Sequence, residues 1–194
     1  MSTTDSSMPA SSPPAGASHL KIARQAIVDA NRRVIGYELF DRSVAPDQHS
    51  ASSDAQLLYN LLSMADNEPL LGKKTLFVNC THDSLAGGHL ELVAPETIVL
   101  EIPPLPSSDI DQIQTRLPTL RSIHQRGFRL AFDYSVLTHS YEEWLPLASF
   151  IKFDVSVLKP QSLQSFVKLA QARTPARLIA EKVETTQQHE MLKE

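Results

Sequence analysis

The sequence predicts an α/β fold, a (β/α) TIM-like barrel whose first strand is antiparallel, and three observations carry that prediction. Two β-type runs at the start are separated by a spacer of hairpin length. Short apolar runs then alternate with helical patterns, the arrangement that builds a parallel sheet. A polar side chain also interrupts six of these runs near their ends, the face where a barrel gathers its loops.

Residues 1–19 (MSTTDSSMPASSPPAGASH) carry almost no large apolar side chains. They cannot bury enough surface to offset the entropy of ordering and read as a disordered tail, with the barrel domain over 20–194. Lys21 to Asp29 and Arg32 to Phe40 are the first two strands, joined by Ala30-Asn31. A helix starts near Asp54 with Ser52 or Ser53 as N-cap, places Leu57, Leu58, Leu61, Leu62 and Ala65 on one face, and ends near Pro69.

The later strands are Thr75 to Cys80, Thr97 to Ile102, Phe128 to Asp133, Phe150 to Val155 and Arg177 to Val183, each a short apolar run of the kind buried on both faces. Between them the spacing predicts helices over Ser108 to Arg126 and Gln161 to Ala172. The first has Ile110, Ile113, Leu117, Leu120 and Ile123 in register, a kink at Pro118 and Gly127 as its C-cap. A last helix opens at Thr185. Seven strands are counted, so the barrel is expected to be incomplete at its C-terminus.

The polar interruptions are Glu38, Asn79, Glu101, Asp133, Lys152 with Asp154, and Glu181. An open sheet would not gather all of them, whereas a barrel would. Carboxylates, an amide and an ammonium together make an oxygen-rich site suited to Mg²⁺ or Mn²⁺, with the lysine balancing charge. Any one alone reads more readily as a solvated or salt-bridged strand end. The whole set points to a present or ancestral metal site.

Composition closes off other classes. The net charge is −4 without a Lys/Arg block, so no basic stripe is offered to nucleic acid. No run approaches the roughly 18 apolar residues of a membrane span, and the expected location is cytoplasmic. The single cysteine, Cys80, excludes an internal disulfide and reads as a buried, inert thiol. The seven histidines are scattered and read as surface residues. Glu184 either orients a neighbouring group or caps the helix at Thr185.

These residues resemble the EAL domain, a (β/α) barrel whose active members hydrolyse cyclic-di-GMP with a pair of divalent metals. Ala23-Arg24-Gln25-Ala26-Ile27 is similar to the family's opening strand, with Ala26 where proline is usual. Gly36-Tyr37-Glu38-Leu39-Phe40-Asp41-Arg42 stands in the place of the name-giving Glu-Ala-Leu segment. Val78-Asn79, Leu100-Glu101-Ile102, Leu130-Ala131-Phe132-Asp133, Ile151-Lys152-Phe153-Asp154 and Ile179-Ala180-Glu181-Lys182-Val183-Glu184-Thr185 follow in the family's order.

The resemblance implies Glu38, Asn79, Glu101, Asp133 and Glu181 as metal ligands, with Glu38 and Lys152 as catalytic residues, the lysine positioning a water. Gln25 and Arg42 become contacts to cyclic-di-GMP. Tyr-Glu-Leu and Ala-Glu-Lys-Val-Glu resemble the regulatory subgroup in which a divergent EAL domain precedes an HDOD domain. A protein partner, or a C-terminal HDOD-type domain absent from this sequence, is therefore expected, along with a homodimer.

Three departures from the family are expected to weaken catalysis. Asp-Asp-Phe-Gly reads Asp133-Tyr134-Ser135-Val136, and a phenol cannot serve as the second aspartate at neutral pH, which leaves one Mg²⁺ or Mn²⁺ site rather than two. The loop from Asp133 to Lys152 is shorter than usual and lacks its glycines. The final strand, with its active-site glutamine, is missing. The implied function is a degenerate, non-catalytic regulatory or binding module; the alternative is an active Mg/Mn-dependent phosphodiesterase.

Overall fold

A computed structural model describes residues 22–41, 50–65, 74–106 and 109–192. The expected tail over 1–19, Arg42, Ser108, and the side chains of Leu61, Leu62 and Ala65 lie outside the described residues. Strands β1 (Ile22–Val28), β2 (Val34–Asp41), β3 (Thr75–Asn79), β4 (Ile98–Ile102), β5 (Arg129–Asp133), β6 (Ala148–Asp154) and β7 (Arg177–Glu181) form one sheet in sequential order. β1 pairs antiparallel with β2, and every later pair is parallel. No described pairing returns from β7 to β1, so the sheet is a curled, incomplete barrel.

The connection between β1 and β2 is longer than the two-residue spacer expected. The Asp29 carboxylate accepts from the backbone N–H of Asn31 at 2.8 Å and of Arg33 at 2.9 Å. Those bonds draw the strand ends into a turn in which Arg32 takes φ 62°, a left-handed conformation.

Helix α1 (Ala51–Ala65) begins earlier than expected. Ser50, not Ser52 or Ser53, stands ahead of it: Ser53 N–H donates to Ser50 Oγ at 3.2 Å, and Ser50 N–H donates to Ser53 Oγ at 2.9 Å. Helix α2 (Ile110–Gln125) buries Ile113, Leu117, Leu120 and Ile123 as expected, carries Pro118 within it, and is followed by Gly127 at φ 95°. Ile110 departs from the expected face and is half exposed, at the first position of the helix after its cap Asp109. Helix α3 (Pro160–Arg173) buries Leu163 and Ala170.

Helix α4 (Thr186–Met191) is not capped by Glu184. Thr185 is the cap, forming a capping box with Gln188.

The segment between β5 and β6 is a chain of 3₁₀ turns over Tyr134–Leu137, His139–Tyr141 and Leu145–Leu147. It needs no glycines because Val136, Leu137, Tyr141, Trp144, Leu145 and Leu147 all turn inward and anchor it in the main core.

Strand alternation assigns the two faces of the sheet. Outward, Leu39, Val78, Leu100, Leu130, Phe132, Ile151 and Phe153 pack in the main core with the helices. Inward, Phe77, Val99, Ala131 and Phe150 form a second apolar cluster, with Ile27 and Ile179 against it. Two positions further along the same strands stand Asn79, Glu101, Asp133, Lys152 and Glu181. The acidic face is thus the upper layer of an interior whose middle layer is apolar.

Gly36 fits this interior because it has no side chain. A Cβ there would meet the Thr75 carbonyl oxygen at 2.7 Å and the Phe77 ring at 3.1 Å. Gly36→Ala is expected to lower stability by about 1–3 kcal/mol, read from the urea midpoint. An unchanged midpoint would show that β2 and β3 part freely at this point.

Candidate functional site

The upper inner layer converges on Lys152. Its Nζ lies 3.2 Å from Glu38 Oε1 on β2, 2.7 Å from Glu101 Oε2 on β4 and 2.5 Å from Glu181 Oε1 on β7. Asn79 Nδ2 donates to the same Glu38 oxygen at 3.4 Å. Four strands separated widely in sequence therefore meet at one ammonium.

Burial makes the cluster electrostatically unusual. The Glu101 side chain is 4% exposed and Lys152 10%, against 27% for Glu181. Glu101 Oε1 has no hydrogen-bond partner, and Oε2 touches Nζ as an ion pair outside hydrogen-bond geometry. Burial pushes the Glu101 carboxyl up to about 8, against the pull of the Lys152 charge. For Lys152 burial works against the charged form, but the Glu101, Glu38 and Glu181 carboxylates outweigh it and hold the ammonium above its ordinary range. One ammonium faces three carboxylates, and the deepest of them takes up a proton first.

Asp133 is not drawn into this group. Its Oδ1 accepts from Ser135 N–H at 2.9 Å and caps the 3₁₀ turn that follows β5. Asp154 is occupied as well: Ser156 N–H and the Lys182 ammonium bond it, the latter pulling its carboxyl down to about 2. Gln25 is exposed on β1, directly across from Glu38 in the β1–β2 register. Tyr134 turns to the outer face, its ring stacked 6.0 Å from Phe153 and 5.2 Å from Phe166 of α3.

In this arrangement, no three acidic, histidine or cysteine side chains among the described residues are disposed to hold a metal ion. The ammonium occupies the point on which the carboxylates converge. In chemistry the donors suit a divalent cation, and Glu101 Oε1 is a buried acceptor without a hydrogen-bond partner.

Sequence reasoning missed Asp54. It is buried on α1, and its Oδ2 accepts from Thr81 N–H at 2.7 Å, fixing the chain just beyond Asn79. An acidic residue in a first helical turn gives no sign that it faces inward. Cys80 is buried as expected, and burial, followed by the nearby Asp54 and Glu101 charges, raises its thiol far above the reactive range. The histidines are less superficial than expected: His82, His89 and His189 are half-buried, and the His82 ring lies 2.9 Å from the Pro103 carbonyl.

No protein-family model matches the chain. Among curated proteins it is 32% identical over 179 residues to "Cyclic di-GMP phosphodiesterase CdgJ" of Vibrio cholerae, a match that covers 84% of this chain and 38% of that protein. The chain thus spans well under half the length of that relative. Among solved structures, Klebsiella pneumoniae BlrP1, solved as a manganese and cyclic-di-GMP complex, superposes with a TM-score of 0.67 at 19% identity, covering 96% of this chain and 55% of that one. The EAL domain of Mycobacterium smegmatis DcpA gives 0.66 at 21% identity, over 89% of this chain and 85% of that one. In its seven-stranded curled sheet and its antiparallel first strand, the chain has the fold of these solved EAL proteins.

Proposed function

We propose that this is a degenerate EAL domain of cyclic-di-GMP signalling, a non-catalytic module that regulates by binding. The observation that carries the reading is the placement of Tyr134. Where the resemblance calls for a second aspartate, the chain has a phenol packed between β6 and α3. A second metal has no ligand at that point.

Glu38, Asn79, Glu101 and Glu181, with Asp133 at the rim, would hold a single Mg²⁺ or Mn²⁺. Such an ion would polarise a phosphoryl oxygen. Gln25, beside Glu38, and Arg42 would contact the dinucleotide. The partner is a protein or an HDOD-type domain, and the domain self-associates as a cytoplasmic homodimer. Among the described residues no helix is long and apolar enough to cross a membrane.

Incubating the purified protein with cyclic-di-GMP and Mg²⁺ or Mn²⁺ is expected to yield binding without hydrolysis. Turnover of order one per second would overturn the reading. It would establish the second one, an active phosphodiesterase, which the convergence of Glu38, Glu101 and Glu181 on Lys152 favours. In that case Glu38→Ala would abolish the activity.

A further inference from the structure

We propose that the lower mouth of the barrel, at the end opposite the carboxylate cluster, binds a phosphate-class oxyanion, with Arg129 and Arg177 as its clamp. The inference is independent of the metal reading, because the apolar middle layer separates the two ends.

Strand alternation places the pair. Arg129 opens β5 two positions before Ala131, Arg177 opens β7 two positions before Ile179, and Thr75 opens β3 two positions before Phe77. Ala131, Ile179 and Phe77 belong to the inward apolar layer, so the three form a layer beneath it. Their contacts agree. Arg129 Nη2 reaches past β4 to donate to Thr75 Oγ1 at 3.3 Å, and it also donates to the Glu96 carbonyl at 2.9 Å. The Arg177 guanidinium lies over the Phe150 ring, 5.7 Å from its centroid.

The charge of this layer is unanswered. Both acceptors of Arg129 are neutral, and among the described residues neither arginine forms an ion pair. Burial, and then the Arg177 charge, hold the Arg129 guanidinium below its ordinary range. Two like charges gathered under an apolar floor repel, and an anion shared by both turns that repulsion into attraction. Lys74, whose Nζ donates to the Val34 carbonyl at 2.8 Å, adds a third cation at the same end of the sheet.

The donors select the ligand class. Arg129 makes its bonds from one nitrogen, so Nε and Nη1 keep theirs, and the Thr75 hydroxyl that accepts from it keeps a proton to give. A carboxylate has coplanar oxygens that match a single guanidinium fork. A phosphate carries about two negative charges and spreads its oxygens tetrahedrally, which suits forks arriving from two different strands.

The test is calorimetric titration of the full chain with inorganic phosphate and with glycerol phosphate, a phosphomonoester, in a chelator so that no metal acts through the upper layer. A single saturable event is expected for at least one of them. Arg177→Gln should weaken it at least about tenfold, since one charge-assisted fork is lost. Arg121→Gln, at an exposed pair with Glu143, should leave it unchanged. Arg177 is exposed, so its variant tests the site even where Arg129→Gln fails to fold. Binding of the inorganic ion alone assigns free phosphate as the ligand, and binding of the ester assigns a phosphorylated small molecule; both support the site. No saturable binding, equal affinity in Arg177→Gln and the parent, equal weakening by Arg121→Gln, or equal competition by acetate, the mark of an adventitious ion only, overturns it. None of these outcomes touches the metal reading, which the chelator keeps out of the measurement.

Discussion

Trp144→Ala is expected to cost the domain about 3–5 kcal/mol, the range for deleting a large buried aromatic. Trp144 is 1% exposed. Its ring meets Tyr141 at 4.8 Å, Phe132 at 5.7 Å and His82 at 5.8 Å, and its Nε1–H donates to the Ile113 carbonyl at 3.3 Å. It joins β5, α2, the loop after β3 and the 3₁₀ segment. Truncation leaves a cavity that none of these can fill alone and removes the bond that ties the segment to the first turn of α2. Urea unfolding measures the loss, and hydrogen exchange should show residues 134–147 opening first. A loss below about 1 kcal/mol would mean that the segment holds its shape by backbone bonds alone.

Glu101 gives the second large effect, a pH dependence of stability in the metal-free protein. Its folded-state carboxyl is pushed up to about 8, against an ordinary 4.5. Raised in the folded state, it keeps a proton that the unfolded chain releases. Its contribution is complete below about pH 4.5 and is lost as pH climbs through about 8, by up to about 1.4 kcal/mol per unit.

In the presence of a chelator, unfolding free energy should therefore fall by up to about 5 kcal/mol across that window. Burial holds His82 and His89 below the ordinary imidazole range, so they tilt the curve the other way. Glu101→Gln, neutral at every pH, is the reference: the difference between the two curves isolates the carboxyl. Parallel curves would show that Glu101 ionises freely.

The sequence announced the sheet through apolar runs, because a strand buried on both faces leaves little choice of residue. It also announced the upper layer, since Glu38, Asn79, Glu101, Lys152 and Glu181 interrupt those runs at the same relative depth. What it hid depends on side-chain direction. Asp133 sits at that depth too, yet it closes on Ser135, a choice made by the turn that follows rather than by the strand. Tyr134 was legible as a lost aspartate but not as a bracket between Phe153 and Phe166. Asp54 looked like a helix-start acid and proved to be the anchor of Thr81. The thread through Trp144 was illegible because its partners come from distant positions and no local period marks them.

Lys152 and Glu38 lie 114 positions apart, and the cluster draws on four strands. No fragment of the chain can form it early, since every contact must wait for strands between the partners to be laid in register. Contacts of such long range set the pace of folding in parallel sheets. A shift of one residue in any of these strands would send its charge to the opposite face. The ammonium with its three acids is therefore a proofreader of assembly, formed only once the whole sheet is correct.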